Sequence, residues 1–164
     1  MRTSRPKAGT RLGDVVAALE GAFQGPGWHG PTVLEVVAGI AARRAALRPE
    51  GAHHSVHELV DHIQYWEEAG LRYAVTKGKP KRTRRDWARP TRSFAGSLKR
   101  LTATHRRLVA AVRKLDESDL DRPIGTWGSG IVPLHFVLHG VAAHDAYHAG
   151  QIGLLRALLG KRKR

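Results

Sequence analysis

His144 and His148, four residues apart near the C-terminus, are the side chains whose spacing best suits them for chemistry. They lie in a stretch, residues 133–159, whose apolar residues recur at intervals of three and four, a pattern typical of an amphipathic helix. On one helix, residues four apart stand one above the other, with Cβ atoms about 5–6 Å apart. Two imidazoles held this way can bind one metal ion, and a third ligand from another element would complete a site.

Without a third ligand, the pair can be explained equally well as two core histidines whose ring nitrogens form hydrogen bonds, with no metal. His62 changes this balance, because it lies between Leu59 and Trp66 on the inward face of a second predicted helix. Three buried imidazoles without a ligand leave ring nitrogens that cost about 1–3 kcal/mol each if unpaired. A divalent ion accepts a lone pair from each ring, and three histidines leave one coordination position open, as in catalytic sites. The sequence therefore predicts a metal site formed by His62, His144 and His148.

Other histidines have simpler explanations. His135 and His139 are also four apart, but they lie about 140–180° around the helix from the first pair and point away from the buried stripe. His105 falls in the apolar seam of a third helix, where core packing is the expected role. His53, His54 and His57 stand at a helix start and are expected to be solvated or capping.

Neighbours of the predicted ligands could support the site. Gln151 shares the face of the C-terminal histidine pair and could orient a ligand, and Tyr147 lies at the edge of that face. Glu58 could support a ligand from outside the coordination sphere, although a capping box with Ser55 explains it equally well. Asp145 is expected to be solvated or to contact a ligand, but not to bind the metal itself.

The elements that must position these residues are helices. Apolar seams predict an all-α four-helix bundle, and the connection at residues 28–48 predicts one or two additional short helices. Residues 118–130 are rich in glycine and proline and predict a loop, and no segment shows the alternation of a strand. The long helices are predicted at residues 11–24, 55–75, 92–115 and 132–159.

Length and composition predict one globular domain. With 164 residues, 41% apolar and 26% charged, the chain can bury one sizeable core. We expect a flexible basic arm at 1–10, the bundle domain at 11–160 and a basic tail at 161–164. The absence of cysteine excludes disulfides, thiolate nucleophiles and cysteine-based zinc sites. We find no secretory or membrane-spanning run, so we expect a cytoplasmic protein without membrane contact.

Charge is the strongest compositional signal. Lysine and arginine total 28 against 14 acidic residues, a formal net charge of +14, which predicts attraction to anions. The positive charge collects at both termini and in residues 77–92. That central segment could guide an anionic small molecule to the metal, or it could bind nucleic acid. Its candidate anion-guiding residues are Lys81, Arg82, Arg84 and Arg85.

Two stretches carry a resemblance to a known family. Residues 55–63 (SVHELVDHI) with Trp66, together with residues 138–140 (LHG) and 144–152 (HDAYHAGQI), resemble the DinB/YfiT-like superfamily, over roughly Leu12 to Leu159. The resemblance implies a DinB-like four-helix bundle with one divalent metal ion held by three histidines, here His62, His144 and His148. It also implies relatives that are transferases or isomerases dependent on a low-molecular-weight thiol such as bacillithiol or mycothiol.

The expected function is that of a metal-dependent enzyme, a thiol S-transferase or a hydrolase acting on an anionic or electrophilic small molecule. The metal would be Zn, Ni, Mn or Fe, with Zn or Ni favoured, and it would lower the pKa of a thiol or a water. The sequence does not choose between these nucleophiles. The alternatives are a non-catalytic bundle stabilised by metal and a basic nucleic-acid-associated protein of the DNA-damage or stress response. A homodimer is also expected.

Overall fold

The computed structural model describes residues 9–76, 86–125 and 130–160. The described residues form six α-helices, one 3₁₀ helix and one two-stranded antiparallel sheet, and they confirm the expected all-α bundle with short helices in the 28–48 connection. In chain order the elements are α1 (Arg11–Gln24), α2 (Val33–Val37), α3 (Ala42–Ala45), α4 (Val56–Val75), α5 (Phe94–Val112), the 3₁₀ helix (Glu117–Asp121), β1 (Pro123–Gly125), β2 (Ile131–Pro133) and α6 (Leu134–Gly160).

Hydroxyl caps begin three of the four long helices. Thr10 Oγ1 accepts a hydrogen bond from the N–H of Gly13 at the start of α1, and Ser93 caps α5 in the same way. The capping box predicted for α4 is present. The backbone N–H of Ser55 donates to Glu58 Oε2 at 2.8 Å, and the N–H of Glu58 donates to Ser55 Oγ at 3.3 Å. These bonds satisfy amide donors that the first turn of a helix leaves unpaired.

The prediction of a loop at residues 118–130 is wrong in part. Its beginning is the 3₁₀ helix, and β1 pairs with β2 through Ile124 and Val132. Strands of three residues are too short for an alternating pattern, so the expectation that no strand occurs fails for a physical reason. The guanidinium of Arg122, just before β1, donates to the carbonyls of Tyr73 and Ala74 at the end of α4. This contact fixes the hairpin against the bundle.

The buried apolar residues form two clusters at different levels of the bundle. One joins α1 to the C-terminal halves of α4 and α5 and the N-terminal half of α6. The other joins α2 to the N-terminal halves of α4 and α5 and the C-terminal half of α6. Between them the same three long helices bury a layer of polar side chains, which includes His62, Gln64, Glu67, Thr104, His105, Asp145 and His148.

A close helix contact borders this polar layer. A Cβ atom on Gly70 of α4 would lie 3.0 Å from Cγ2 of Val141 on α6, tighter than ordinary van der Waals contact. Glycine therefore allows the two helices to approach closely where both begin to contribute polar side chains. Two turns towards the N-terminus of α4, His62 contacts His144 of α6.

Candidate metal centre

Helices α4 and α6 bring the three predicted metal ligands together. His144 Nε2 lies 3.0 Å from His62 Nε2 and 3.0 Å from His148 Nε2. Nitrogen ligands at 2.0–2.1 Å from a tetrahedral ion are separated by about 3.3 Å, so these two separations are close to those that one ion requires. Ligand atoms of all three residues lie within 4.8 Å of one another. His62 and His148 are buried, and His144 is half-buried.

The second nitrogen of each ring indicates which tautomer is present. His62 Nδ1 lies 2.6 Å from Asp86 Oδ1, and His148 Nδ1 lies 2.7 Å from Gln151 Oε1. His144 Nδ1 has the carboxylate of Asp145 at 3.8 Å. The hydrogen bond from His148 Nδ1 to Gln151 selects the Nδ1–H tautomer of this ring and leaves a lone pair on its Nε2, and the carboxylate beside His62 Nδ1 favours the same tautomer there. Imidazole nitrogens that converge in this way repel one another unless a proton or a cation lies between them, so the residues fit a divalent metal ion.

The protonation of His148 suits a metal ligand. Burial lowers the pKa of His148 to about 4, with a further contribution from its neighbour His144. The ring is therefore neutral at pH 7 and keeps the lone pair that metal binding needs.

Asp86 and Trp87 contribute to the site, although the sequence analysis assigned neither residue a role. Besides its contact with His62, Asp86 accepts a hydrogen bond at Oδ2 from Trp66 Nε1 at 3.3 Å. Trp87 stacks on His62 with ring centroids 3.7 Å apart and an interplanar angle of 9°. The one available signal was an acidic and an aromatic residue inside a run of cations.

His54 was expected to be solvated or capping, and this expectation is wrong. Its ring stacks on Trp87 at 3.7 Å and 9°, so the indole lies between the rings of His54 and His62. His57 also makes a specific contact, since its Nε2 lies 3.0 Å from Ser97 Oγ. The turn before α4 therefore supplies a wall of the site.

An open cleft of about 430 Å³ lies beside the metal centre. His148 and Gln151 line it together with Tyr147 and Trp87. Gln151 connects two of these residues, because its Oε1 accepts from His148 and its Nε2 donates to the Tyr147 hydroxyl at 2.9 Å. The structure thus brings Gln151 and Tyr147 to the site, where Gln151 orients a ligand imidazole.

A second buried polar cluster adjoins the metal centre. His105 Nδ1 lies 2.6 Å from Glu67 Oε1, and Asp145 completes a group whose donor atoms lie within 4.8 Å of one another. The ring of His105 also stacks on Phe23 at 3.8 Å. Of the two alternatives expected for Asp145, solvation is wrong, because the residue is fully buried, whereas proximity to a ligand agrees with its Oδ1 lying 3.8 Å from His144 Nδ1. Sequence reasoning missed Glu67, although it has the inward spacing, four residues after Ile63.

Proton sharing explains this second cluster better than a metal does. The 2.6 Å contact between His105 and Glu67 is shorter than the roughly 3 Å between two donors on one ion, and it has the length of a strong hydrogen bond. Burial raises the pKa of both Glu67 and Asp145, and burial lowers the pKa of His105 to about 4. The described residues donate no hydrogen bond to either oxygen of Asp145, so a proton shared with Glu67 satisfies both carboxyl groups.

Other predicted residues lie elsewhere. Glu58 bonds to Ser55 and to the guanidinium of Arg48, and its carboxylate does not join the three histidines. His135 and His139 contact each other, with ring centroids 6.5 Å apart, on the part of α6 that precedes the site. The four candidate anion-guiding residues, Lys81, Arg82, Arg84 and Arg85, lie outside the described residues.

Fold and site together define a helical-bundle protein with a candidate three-histidine metal centre. The family model of the DinB superfamily matches residues 27–152, most of the chain, and covers all three histidines. The chain therefore belongs to the DinB superfamily. No curated protein matches it. None of the helices in the described ranges has both the length and the apolar character needed to cross a membrane.

Proposed function

We propose that the protein is a metal-dependent enzyme acting on a small molecule, as a low-molecular-weight-thiol S-transferase or as a hydrolase. The observation that carries this proposal is the convergence of three histidines, with the Nε2 atoms of His62 and His148 each 3.0 Å from that of His144, beside a cleft lined by one of them. A structural metal site is closed by four protein ligands, whereas this set provides three. The nitrogen donors favour Zn or Ni over the oxygen-preferring ions.

The residues of the chain have defined roles in this proposal. The three histidines would hold the ion, which supplies Lewis acidity to a substrate group in its open position. Gln151 fixes the tautomer of His148 through a hydrogen bond, and the carboxylate of Asp86, 2.6 Å from His62 Nδ1, would support that ring. The Tyr147 hydroxyl, which accepts from Gln151, can donate its own proton to a substrate in the cleft.

Elemental analysis and activity assays test the proposal together. Purified protein should carry about one equivalent of a divalent metal, and His62→Ala, His144→Ala and His148→Ala should each lose it. The matched controls are His135→Ala and His139→Ala, which remove histidines with the same spacing from the same helix. Stoichiometric metal in all three ligand variants would overturn the site.

The reaction is tested on the metal-loaded protein. Thiol consumption with bacillithiol or mycothiol and an electrophilic acceptor indicates a transferase, and release of a chromophore from activated esters without thiol indicates a hydrolase. Either activity should fall at least about 100-fold in His148→Ala. If the protein binds metal but turns over neither substrate class, the ion serves only to stabilise the bundle and the proposed enzymatic function is wrong.

A second candidate function is polyanion binding, favoured by the net charge of +14. A protein that neutralises several phosphates loses affinity for DNA steeply as salt rises. Under this candidate, DNA affinity should fall by at least about tenfold between 50 and 200 mM salt and should not change in His144→Ala. Affinity that is weak at low salt would exclude this function.

A further inference from the structure

The cleft beside the metal centre has two chemically different sides. Its polar side is the hydrogen-bonded chain formed by His148, Gln151 and Tyr147. Most of the remaining lining is apolar and includes Ala52, Leu59, Trp87, Leu154 and Leu155. Cavities of about 300–1,000 Å³ with an apolar lining and a few converging polar groups are typical of small-molecule sites, and the volume of about 430 Å³ falls in this range.

The aromatic wall of the cleft is held in place by several contacts. Trp87 has a histidine ring on each face, at 3.7 Å in both cases, and its edge approaches His148 with ring centroids 6.2 Å apart. The preceding residue, Asp86, contacts His62 and Trp66. A wall fixed in this way does not have to be ordered when a ligand binds, which favours affinity.

The part of the lining that α6 contributes is largely exposed. Tyr147 and Leu154 of α6 are 63% and 62% exposed, although both line the cleft. Large apolar side chains that face solvent at a cavity beside a candidate metal site indicate a binding surface, because a ligand that covers them removes apolar area from water. The described lining carries no lysine, arginine, aspartate or glutamate that would favour a charged ligand body.

We propose that this cleft binds the apolar body, aromatic or branched aliphatic, of a small amphipathic ligand whose polar head group binds the metal. The inference rests on the proposed metal centre, which supplies the binding site for the head group. It adds a substrate class, because the body of the ligand packs between Trp87 and the α6 residues Tyr147 and Leu154. His148 serves both parts, as a metal ligand and as a lining residue of the cleft.

Two metal-binding probes that differ only in their apolar body test this inference. Acetohydroxamate and benzohydroxamate have the same head group, and the second replaces a methyl group with a phenyl ring. Titration calorimetry of the Zn-loaded protein should show benzohydroxamate binding at least about tenfold more tightly. The same ratio should approach one in Leu154→Asp, which places a charge in the cleft.

A matched control distinguishes the effect of a charge in the cleft from the effect of a new charge anywhere on α6. Leu158→Asp makes the same change one turn further along α6, at a residue that is 41% exposed and does not line the cleft, and it should keep the wild-type ratio. Equal affinity for the two probes, or no binding of either to protein with one equivalent of metal, overturns the cleft inference and leaves the metal centre standing. Metal content at background level overturns the proposed function itself.

Discussion

The orientation of His62 depends on Asp86, whose Oδ1 lies 2.6 Å from its Nδ1. An asparagine at this position removes the negative charge that favours the Nδ1–H tautomer and makes the ring a better ligand. Removal of such supporting partners typically weakens metal binding 10–100-fold. We therefore expect Asp86→Asn to weaken Zn binding about 10–100-fold, measured by competition with a chromophoric chelator.

The control for this prediction is Asp14→Asn, which removes an equal charge from an exposed position in the first turn of α1. It should leave the Zn affinity unchanged, which separates the contact with His62 from the effect of net charge. An Asp86→Asn protein with wild-type affinity would show that the carboxylate does not support the ligand.

Glu67 gives a prediction about stability. Burial, with the neighbouring carboxyl of Asp145, raises its pKa well above the ordinary 4.5, which favours the neutral form of the carboxyl in the folded protein. Glu67→Gln keeps the shape and the hydrogen bonds, and it should stay within about 1 kcal/mol of wild type at pH 7. Glu67→Ala should lose about 2–4 kcal/mol, because it leaves a cavity and unpaired neighbours.

The pH dependence distinguishes a neutral Glu67 from an ionised one. A group whose pKa is raised on folding stabilises the protein fully below its unfolded pKa, and this contribution is lost as the pH rises towards the folded pKa. Glu67→Gln has no such loss. In urea denaturation at pH 5, 7 and 9, the free energy of unfolding of the variant should therefore rise relative to that of wild type as the pH rises. A constant difference would mean that Glu67 is ionised in the folded protein.

Single residues also show what sequence reasoning can find. His144 and His148 are visible because one helix fixes their relation, and His62 because it interrupts an apolar stripe. The sequence pattern does not indicate the roles of Asp86 and His54, for the opposite reason. Both lie outside the helices, and their contacts with the site depend on the path of the chain between helices, which no periodicity describes.

At the scale of elements, the capping box of α4 links helix stability to pH. The guanidinium of Arg48 and the backbone of Ser55 lower the pKa of Glu58 to about 2. A group whose pKa is lowered on folding stabilises the protein above its unfolded pKa, here 4.5, and loses this contribution as the pH falls towards 2. Arg48 is more than half exposed, so solvent weakens the ion pair.

We therefore expect Glu58→Gln to lower the free energy of unfolding by about 1–2 kcal/mol at pH 7. Glutamine can still cap the helix, so the variant isolates the charge. In urea denaturation, the difference from wild type should disappear between pH 4.5 and 2. The control is Glu50→Gln at an exposed position, which should match wild type throughout. A difference that persists at pH 2 would contradict an ionic origin.

The length of an element decides how well the sequence predicts it. Long helices repeat their pattern over several turns, so α1, α4, α5 and α6 lie within a few residues of the predicted seams. Capping residues also indicate where a helix begins, as Ser55 does for α4. The hairpin has three residues in each strand, and it is attached to the bundle by the tertiary contact of Arg122 with α4. Local pattern does not contain that information.

At the scale of the whole molecule, the metal centre lies between two apolar clusters. Its ligands come from α4 and α6, and Asp86 connects it to the chain just before α5. Without an ion, the Nε2 atoms of three imidazoles lie close together inside this polar layer. A bound ion should therefore stabilise the entire bundle and not only the site.

Metal removal measures this stabilisation. A ligand that binds only the folded state at 100 times its Kd adds about 2.7 kcal/mol, which corresponds to roughly 5–10 °C in Tm for a chain of this size. Chelation of the Zn-loaded protein should lower the Tm by this amount. His62→Ala and His148→Ala should not respond to chelation, whereas His135→Ala on the same helix as His148 should respond like wild type. An equal response in His148→Ala would place the stabilising ion elsewhere in the molecule.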